Sequence, residues 1–256
     1  MTTITIPTQG APQAVTEAWT ALPAWLPVPD LGLLSVNAFV LRGREPLLVD
    51  TGLQALEAEF LAALAQVVAP EDLRWIWLSH ADADHIGNLR PVLERAPRAR
   101  VVTNFLGAGK MGMMGGFDLS RVHILAEDEV LEVGGRILRP QRPPYCDAPE
   151  SLGFHDATDG VLFAVDCFGA LLPTPVADAE AIPEARLRAG IEAWSAIDVP
   201  WLTRLDRAWL RRALADLERL TPAHVLSGHL PPSRDLARLA RIVTEIAPVG
   251  DTRRVA

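Results

Sequence analysis

SHADADHIGN, residues 79–88, places His80, Asp82, Asp84 and His85 within six positions. The stretch closes LRWIWLS (73–79), a short apolar run rich in β-formers, so these side chains sit at the mouth of a strand. His80 ends that strand, Asp82 and Asp84 project from the loop on one side, and His85 opens the next segment. Nitrogen and oxygen donors at this density, directly after a buried strand, point to a bound metal rather than to a polar loop capping a helix. Asn88 is suited to cap the following helix, with Pro91 tolerated in its first turn.

Upstream, LLSVNAFVLRG and REPLLVDTG (33–52) are two apolar runs around a polar turn at 42–45, which predicts a hairpin. Asp50-Thr51-Gly52 then turns into LQALEAEFLAALAQVV (53–68), whose apolar spacing is helical and whose stop is Pro70. Downstream, the pattern predicts strands at 100–103, around the Gly-Gly turn of 128–138, at 161–166 and at 224–228, with helices at 208–220 and 235–247. GAGKMGMMGGFD (107–118) reads as a mobile loop, with Met111, Met113 and Met114 lining an apolar entrance or packing within the loop. Residues 168–207 are rich in proline and take no clear assignment. No linker interrupts the chain. It is expected to form one α/β domain over 1–256, with a flexible stretch at about 1–15.

Composition narrows the function. The chain has 256 residues, 49% hydrophobic and 22% charged, with a formal net charge of −8. That charge argues against a nucleic-acid partner, which demands a clustered basic surface. No apolar run is long enough for a membrane span, and MTTITIPTQG lacks the pattern of a secretory leader. Two cysteines, Cys146 and Cys167, are too few for a disulfide scaffold, and a cytoplasmic location is expected.

Four donors in one loop leave coordination positions open, so other segments should contribute. VLFAVD ends in Asp166, and a carboxylate at the end of a core strand is well placed to bridge two metals; the alternative is a helix cap. HVLSG is followed by His229, again a ligand candidate, the alternative being a hydrogen-bonded loop histidine. His123, His155 and His224 have no ligand spacing to the cluster and read as structural.

The hairpin ending in Asp-Thr-Gly, the run from His80 to His85, Asp166 and Ser227-Gly228-His229 together resemble the metallo-β-lactamase superfamily over nearly the whole chain. That resemblance implies a four-layer αββα sandwich with two metal ions at the edge of its facing sheets. Hydrolases of the superfamily typically have histidine at the position of Asp82; the flavodiiron proteins and related oxygen-binding diiron proteins have a carboxylate. Spacings of 62, 19 and 63 residues between positions 85, 147, 166 and 229 resemble that branch as well, as do the segment 151–169 and a helical insertion around 186–220. Asp147 stands where the family supplies a third histidine. The ligand scheme implied is then His80, Asp82 and Asp147 on one metal, Asp84, His85 and His229 on the other, and Asp166 between them. Such an oxygen-rich set suits iron or manganese better than zinc. Cys146 would replace Asp147 if the loop shifts by one residue, and a Cys146–Cys167 disulfide is disfavoured in a reducing compartment.

The activity implied by the resemblance is binding or reduction of O2 or NO, with Asp84 and Asp166 at the reacting centre and the Tyr145 hydroxyl donating nearby. The chain ends soon after its last helix and has no phosphate-cradling glycine motif. No flavodoxin-like domain and no bound FMN are therefore expected, and electrons would come from a separate donor protein. Two other readings stay open: a binuclear zinc hydrolase of a small ester, lactone or thioester, with Asp84 holding the attacking water, and a non-enzymatic O2 or NO sensor. The family resemblance also allows a homodimer.

Overall fold

The computed structural model describes residues 5–126 and 128–247. The short strands carry apolar side chains at successive positions, so both faces of each must be covered. The chain solves this with two sheets. The first takes β1 (Thr8–Gln9), β2 (Gln13–Ala14), β3 (Trp19–Val28), β4 (Gly32–Leu41), β5 (Leu47–Val49), β6 (Trp75–Trp77), β7 (Arg100–Thr103) and β8 (Val122–Ile124). The second takes β9 (Leu131–Val133), β10 (Arg136–Gln141), β11 (Gly153–Asp156) and β12 (Val161–Phe163). After β12 the chain returns through β13 (Leu171–Leu172) to pair with β4 of the first sheet. It then completes the second sheet with β14 (His224–Ser227) and β15 (Leu230–Ser233). Strands β5 to β8 run parallel, as do β12 and β14.

Side chains alternate across each strand and so divide into three apolar layers. Between the sheets, Trp19, Phe39, Val49 and Trp77 meet Phe154, Phe163 and Leu226, with Phe154 ring centroids 4.9 Å from Trp77 and 5.5 Å from Trp19. On the outer face of the first sheet, Leu48, Ile76 and Val101 pack under α1 (Glu57–Val67), α2 (Ala83–Ile86), α3 (Leu89–Arg95) and α4 (Phe105–Met114). Leu162 and Val225 turn the other way, toward α5 (Glu184–Asp198), α6 (Arg207–Glu218) and α7 (Leu236–Ile246). The result is the expected αββα sandwich. No described helix is long and apolar enough to cross a membrane.

Three local expectations change, and one strand had no expectation. The stretch expected to be flexible, about 1–15, contains β1 and β2, both paired with β3; its first four residues lie outside the described residues. Strand β3 itself was masked in the sequence by Pro23 and Pro27, which argue against a strand, yet it pairs with β4 from Trp19 to Val28. Residues 107–114 are helical rather than a loop. Asn104 caps α4 by accepting the Gly107 N–H at 3.0 Å, and a Cβ at Gly107 would lie 2.2 Å from Thr103 Oγ1; packing, not flexibility, accounts for that glycine. Asn88 occupies the position before α3 but does not cap it. Its amide instead donates to the carbonyls of Thr51 and Leu53, at 2.7 and 3.0 Å.

Candidate metal centre

Most of the donors arise just beyond strand ends, with Asp84 and His85 in α2 and Asp147 in the loop between β10 and β11. β5 runs into Asp50, β6 into Ser79 and His80, β12 toward Asp166, and β14 toward His229. The carboxyl ends of parallel strands from both sheets therefore open on one edge, the usual place for a ligand site in such sheets. The backbone tightens as it crosses this edge. Asp50, Val165 and Phe168 all take left-handed conformations, with φ of 55°, 56° and 72°, which is costly for residues other than glycine.

The structure brings together all seven sequence candidates in overlapping groups. His80, Asp82 and Asp147 place donor atoms within 4.8 Å of one another, as do Asp84, His85 and His229, and Asp166 joins His80 and His85 in a third group. Asp166 turns one oxygen to each side. Its Oδ2 is 3.1 Å from His80 Nε2, while Oδ1 is 3.3 Å from His85 Nε2 and 3.5 Å from His229 Nε2. Asp84 Oδ2 faces His229 and His85 Nε2 at 3.4 and 3.6 Å, and Asp147 Oδ2 lies 3.8 Å from His80 Nε2.

Each imidazole is held from behind. His229 Nδ1–H donates to the Ser35 carbonyl at 2.9 Å, and His85 Nδ1–H to Asp50 Oδ2 at 2.9 Å. The Ser79 hydroxyl donates to Asp50 Oδ2 at 2.7 Å, leaving its oxygen to accept from His80 Nδ1 at 3.0 Å. With Nδ1 bonded behind all three rings, Nε2 is the nitrogen each turns to the centre, as a metal-ligating histidine must. Asp50 thus orients two imidazoles, and it is fixed in turn by the Ser79 N–H on Oδ1 at 2.8 Å. Thr51 completes the clamp by donating both its N–H and its hydroxyl to the His85 carbonyl.

Burial and charge are balanced only by one another. Burial pulls the His85 imidazole down, but the carboxylates of Asp166, Asp84 and Asp50 outweigh it and raise its pKa well above the ordinary value. Burial likewise favours a neutral Asp166, and the three facing imidazoles overcome it and hold the carboxyl far below the usual range. Among the described residues, the buried atoms His85 Nε2, Asp166 Oδ1 and Asp147 Oδ1 have no hydrogen-bond partner. Unpartnered donors of this kind, aimed at a shared space, are what a cation would satisfy. The residues present fit a pair of metal ions.

Glycine at 228 is required by proximity: a Cβ there would lie 2.5 Å from Asp166 Oδ1 and 2.9 Å from His85 Cε1. The loop between His80 and Asp82 is anchored by Glu150, whose buried carboxylate accepts from the Ala81 N–H at 3.3 Å and pairs with Lys110 of α4.

Tyr145 is placed differently from its expected catalytic role. Its ring is buried edge-on to Phe168, and its hydroxyl oxygen accepts from the Phe168 N–H at 2.7 Å. It braces the left-handed peptide just beyond Asp166. Cys146 and Cys167 are both free, and the Cys167 thiol donates to the Tyr145 carbonyl. His123 binds Glu129, a structural role as expected.

Several residues at the site carried no signal of the role they play. Asp50 read as a turn residue, and Ser79 and Ser35 as ordinary strand residues. Helix α5 adds two more. The Trp194 ring stands edge-on to His229, centroids 5.3 Å apart, with its buried indole N–H unpartnered. One turn further, burial together with Asp166 pushes the Asp198 carboxyl up to about 7, against the pull of His229.

A family model described as the metallo-β-lactamase superfamily matches residues 31–177. The flavo-diiron protein FprA2 of Clostridium acetobutylicum is 24% identical over 136 residues, 53% of this chain and 34% of that protein. The type A flavoprotein of Rhodobacter capsulatus is 29% identical over 137 residues, 52% of this chain and 32% of that protein. Among solved structures, rubredoxin oxygen:oxidoreductase from Desulfovibrio gigas superposes with a TM-score of 0.79 at 19% identity, covering 91% of this chain and 61% of that one. The matches thus span about a third of these two curated relatives' length. With the family model matched over more than half of its residues, the chain belongs to the metallo-β-lactamase superfamily.

Proposed function

We propose that this domain holds two iron ions and binds or reduces O2 or NO, drawing electrons from a separate donor. The observation that carries the reading is the donor set: two three-residue groups on either side of Asp166, with four carboxylates among seven donors. Oxygen-rich sets of this kind favour iron or manganese, and the names of the flavo-diiron relatives favour iron between the two. When bound, two irons would supply one-electron chemistry and open positions for a diatomic ligand. Abundant carboxylates also disfavour the hydrolytic reading, because anionic ligands lower the acidity of a bound water.

In this proposal His80, Asp82 and Asp147 hold one ion, and Asp84, His85 and His229 the other. Asp50, Ser79 and the Ser35 carbonyl orient the imidazoles so that none of the three must be rearranged on binding. Asp198 holds a proton near neutral pH on the side of α5. The Trp194 indole N–H provides a fixed donor beside His229. Phe168 and Tyr145, both buried, exclude water behind Asp166.

Metal analysis of protein purified without added metal, with visible spectra, tests this. Two irons per chain, with bands that bleach on reduction and return on exposure to O2, are expected. Two zincs in a colourless protein from iron-replete cells would overturn it. Sustained O2 or NO consumption with an added reductant separates a reductase from a sensor, which would bind without turnover.

A further inference from the structure

At the opposite pole of the first sheet, where β5, β6 and β7 begin, the surface sinks into a cleft of about 500 Å³. Arg42, Arg44, Arg74 and Arg98 line it, with Asp72 the one carboxylate among its lining residues. This concentration of guanidinium groups stands out in a chain whose net charge is −8. Asp72 is already engaged by Arg98 at 3.0 Å. The neighbouring Glu45 carboxylate accepts from the Gly134 N–H at 3.0 Å and the Trp75 indole. Arg42 donates to the Glu17 carbonyl. Among the described residues, the guanidinium groups of Arg44 and Arg74 have no hydrogen-bond or ion-pair partner, although the Glu45 carboxylate attracts both from further off.

The remaining wall is apolar: Pro46 and the end of α1 at Val67-Val68-Ala69. That end of α1 presents its partial negative charge, which does nothing to hold an anion; the arginines must supply all of the attraction. Arginine is the side chain whose planar fork best fits phosphate or carboxylate oxygens. A cavity of this volume, with charge on one side and apolar surface on the other, has the dimensions of a small-molecule site.

We infer that this cleft binds a phosphate-bearing small molecule, its phosphates on Arg44 and Arg74 and its apolar part against Pro46, Val67 and Val68. The site is separate from the metal centre. Five residues of extended chain lie between Arg74 and His80, so six residue steps separate them, about 20 Å. Such a distance also sets it apart from any group that must touch the metals.

ADP is a suitable probe, titrated by calorimetry into the metal-loaded protein at constant ionic strength. Saturable one-site binding is expected. It should be weakened about tenfold or more in the Arg44→Gln/Arg74→Gln protein, since a charge-assisted contact is lost at each position. Both residues lie at the surface, so the variant should fold, as an unchanged circular dichroism melt would show. Because phosphates also bind metals, the same titration is run on Asp166→Asn, which should retain ADP affinity. Equal binding by the arginine variant, or loss of binding in Asp166→Asn, overturns the inference. So does the retention of a polyglutamate peptide by these arginines without ADP binding, which would make the cleft a docking surface for an acidic protein.

Discussion

The two halves of the donor set are built differently. In the group of Asp84, His85 and His229, both imidazoles are almost wholly buried and each has its own acceptor behind it, Asp50 or the Ser35 carbonyl. In the group of His80, Asp82 and Asp147, the only imidazole is equally buried but held through a serine hydroxyl, and two carboxylates rather than one are partly exposed. Burial raises the pKa of Asp147, and the carboxylates of Asp166 and Asp82 push it further, against the pull of His80. Imidazoles held from behind by a direct acceptor bind a metal with little reorganisation, whereas partly exposed carboxylates must first be gathered. The contrast implies one tight position and one weaker, more exchangeable position.

The largest effect should come from removing the residue the two halves share. Asp166→Ala deprives three imidazoles of their facing carboxylate, and metal analysis should show at least one ion lost per chain; full occupancy of both positions would refute the scheme. Next in size, Asp50→Ala removes the acceptor behind His85 and loosens Ser79. Affinity at the His85 group should fall about 10- to 100-fold, measured by competition with a chelator. If the His80 group weakens more, the ranking of the two halves is wrong.

Asp147→His tests the weaker half by strengthening it. An imidazole at 147 adds a nitrogen donor facing the same space as His80, so occupancy beside His80 should rise, seen as a higher metal-to-chain ratio at limiting metal. Unchanged ratio and spectra would mean that residue 147 does not reach the metal. The smallest effect concerns Asp198, whose folded pKa of about 7 lies above the ordinary carboxyl value because burial and Asp166 favour the neutral form. The folded state therefore holds this proton more tightly than the unfolded chain. Its contribution to stability is full at acid pH and fades as pH rises from about 4 to about 7. In metal-free protein, Asp198→Asn should flatten the stability profile over that range by on the order of 1 kcal/mol, followed by denaturant melts. An identical profile in the two proteins would mean that Asp198 keeps its ordinary ionisation.

The fold was legible in the sequence wherever pattern and environment agreed. The apolar runs at 47–49, 75–77 and 161–163 announce covered strands, and donors placed just beyond them announce a site. Strand β3 was illegible because its prolines contradict a pairing that only the long partner β4 can enforce. Helix α4 was illegible because Gly107 answers to Thr103, a residue outside the segment. At the site, ligands reveal themselves by residue type, but orienting groups do not. Ser35 acts through its backbone carbonyl, which every residue possesses, and Trp194 and Asp198 reach the centre by a helix packed from far along the chain.

The donors come from two sheets that otherwise meet mainly through apolar side chains. Ions bound there would act as a rivet across the seam, adding stability by mass action only once both sheets have docked. Their off-rate would then govern how often the strand-end edge breathes open. A chelator should accelerate hydrogen exchange at the ends of β6 and β14 together, while leaving the middle of the β3–β4 hairpin protected.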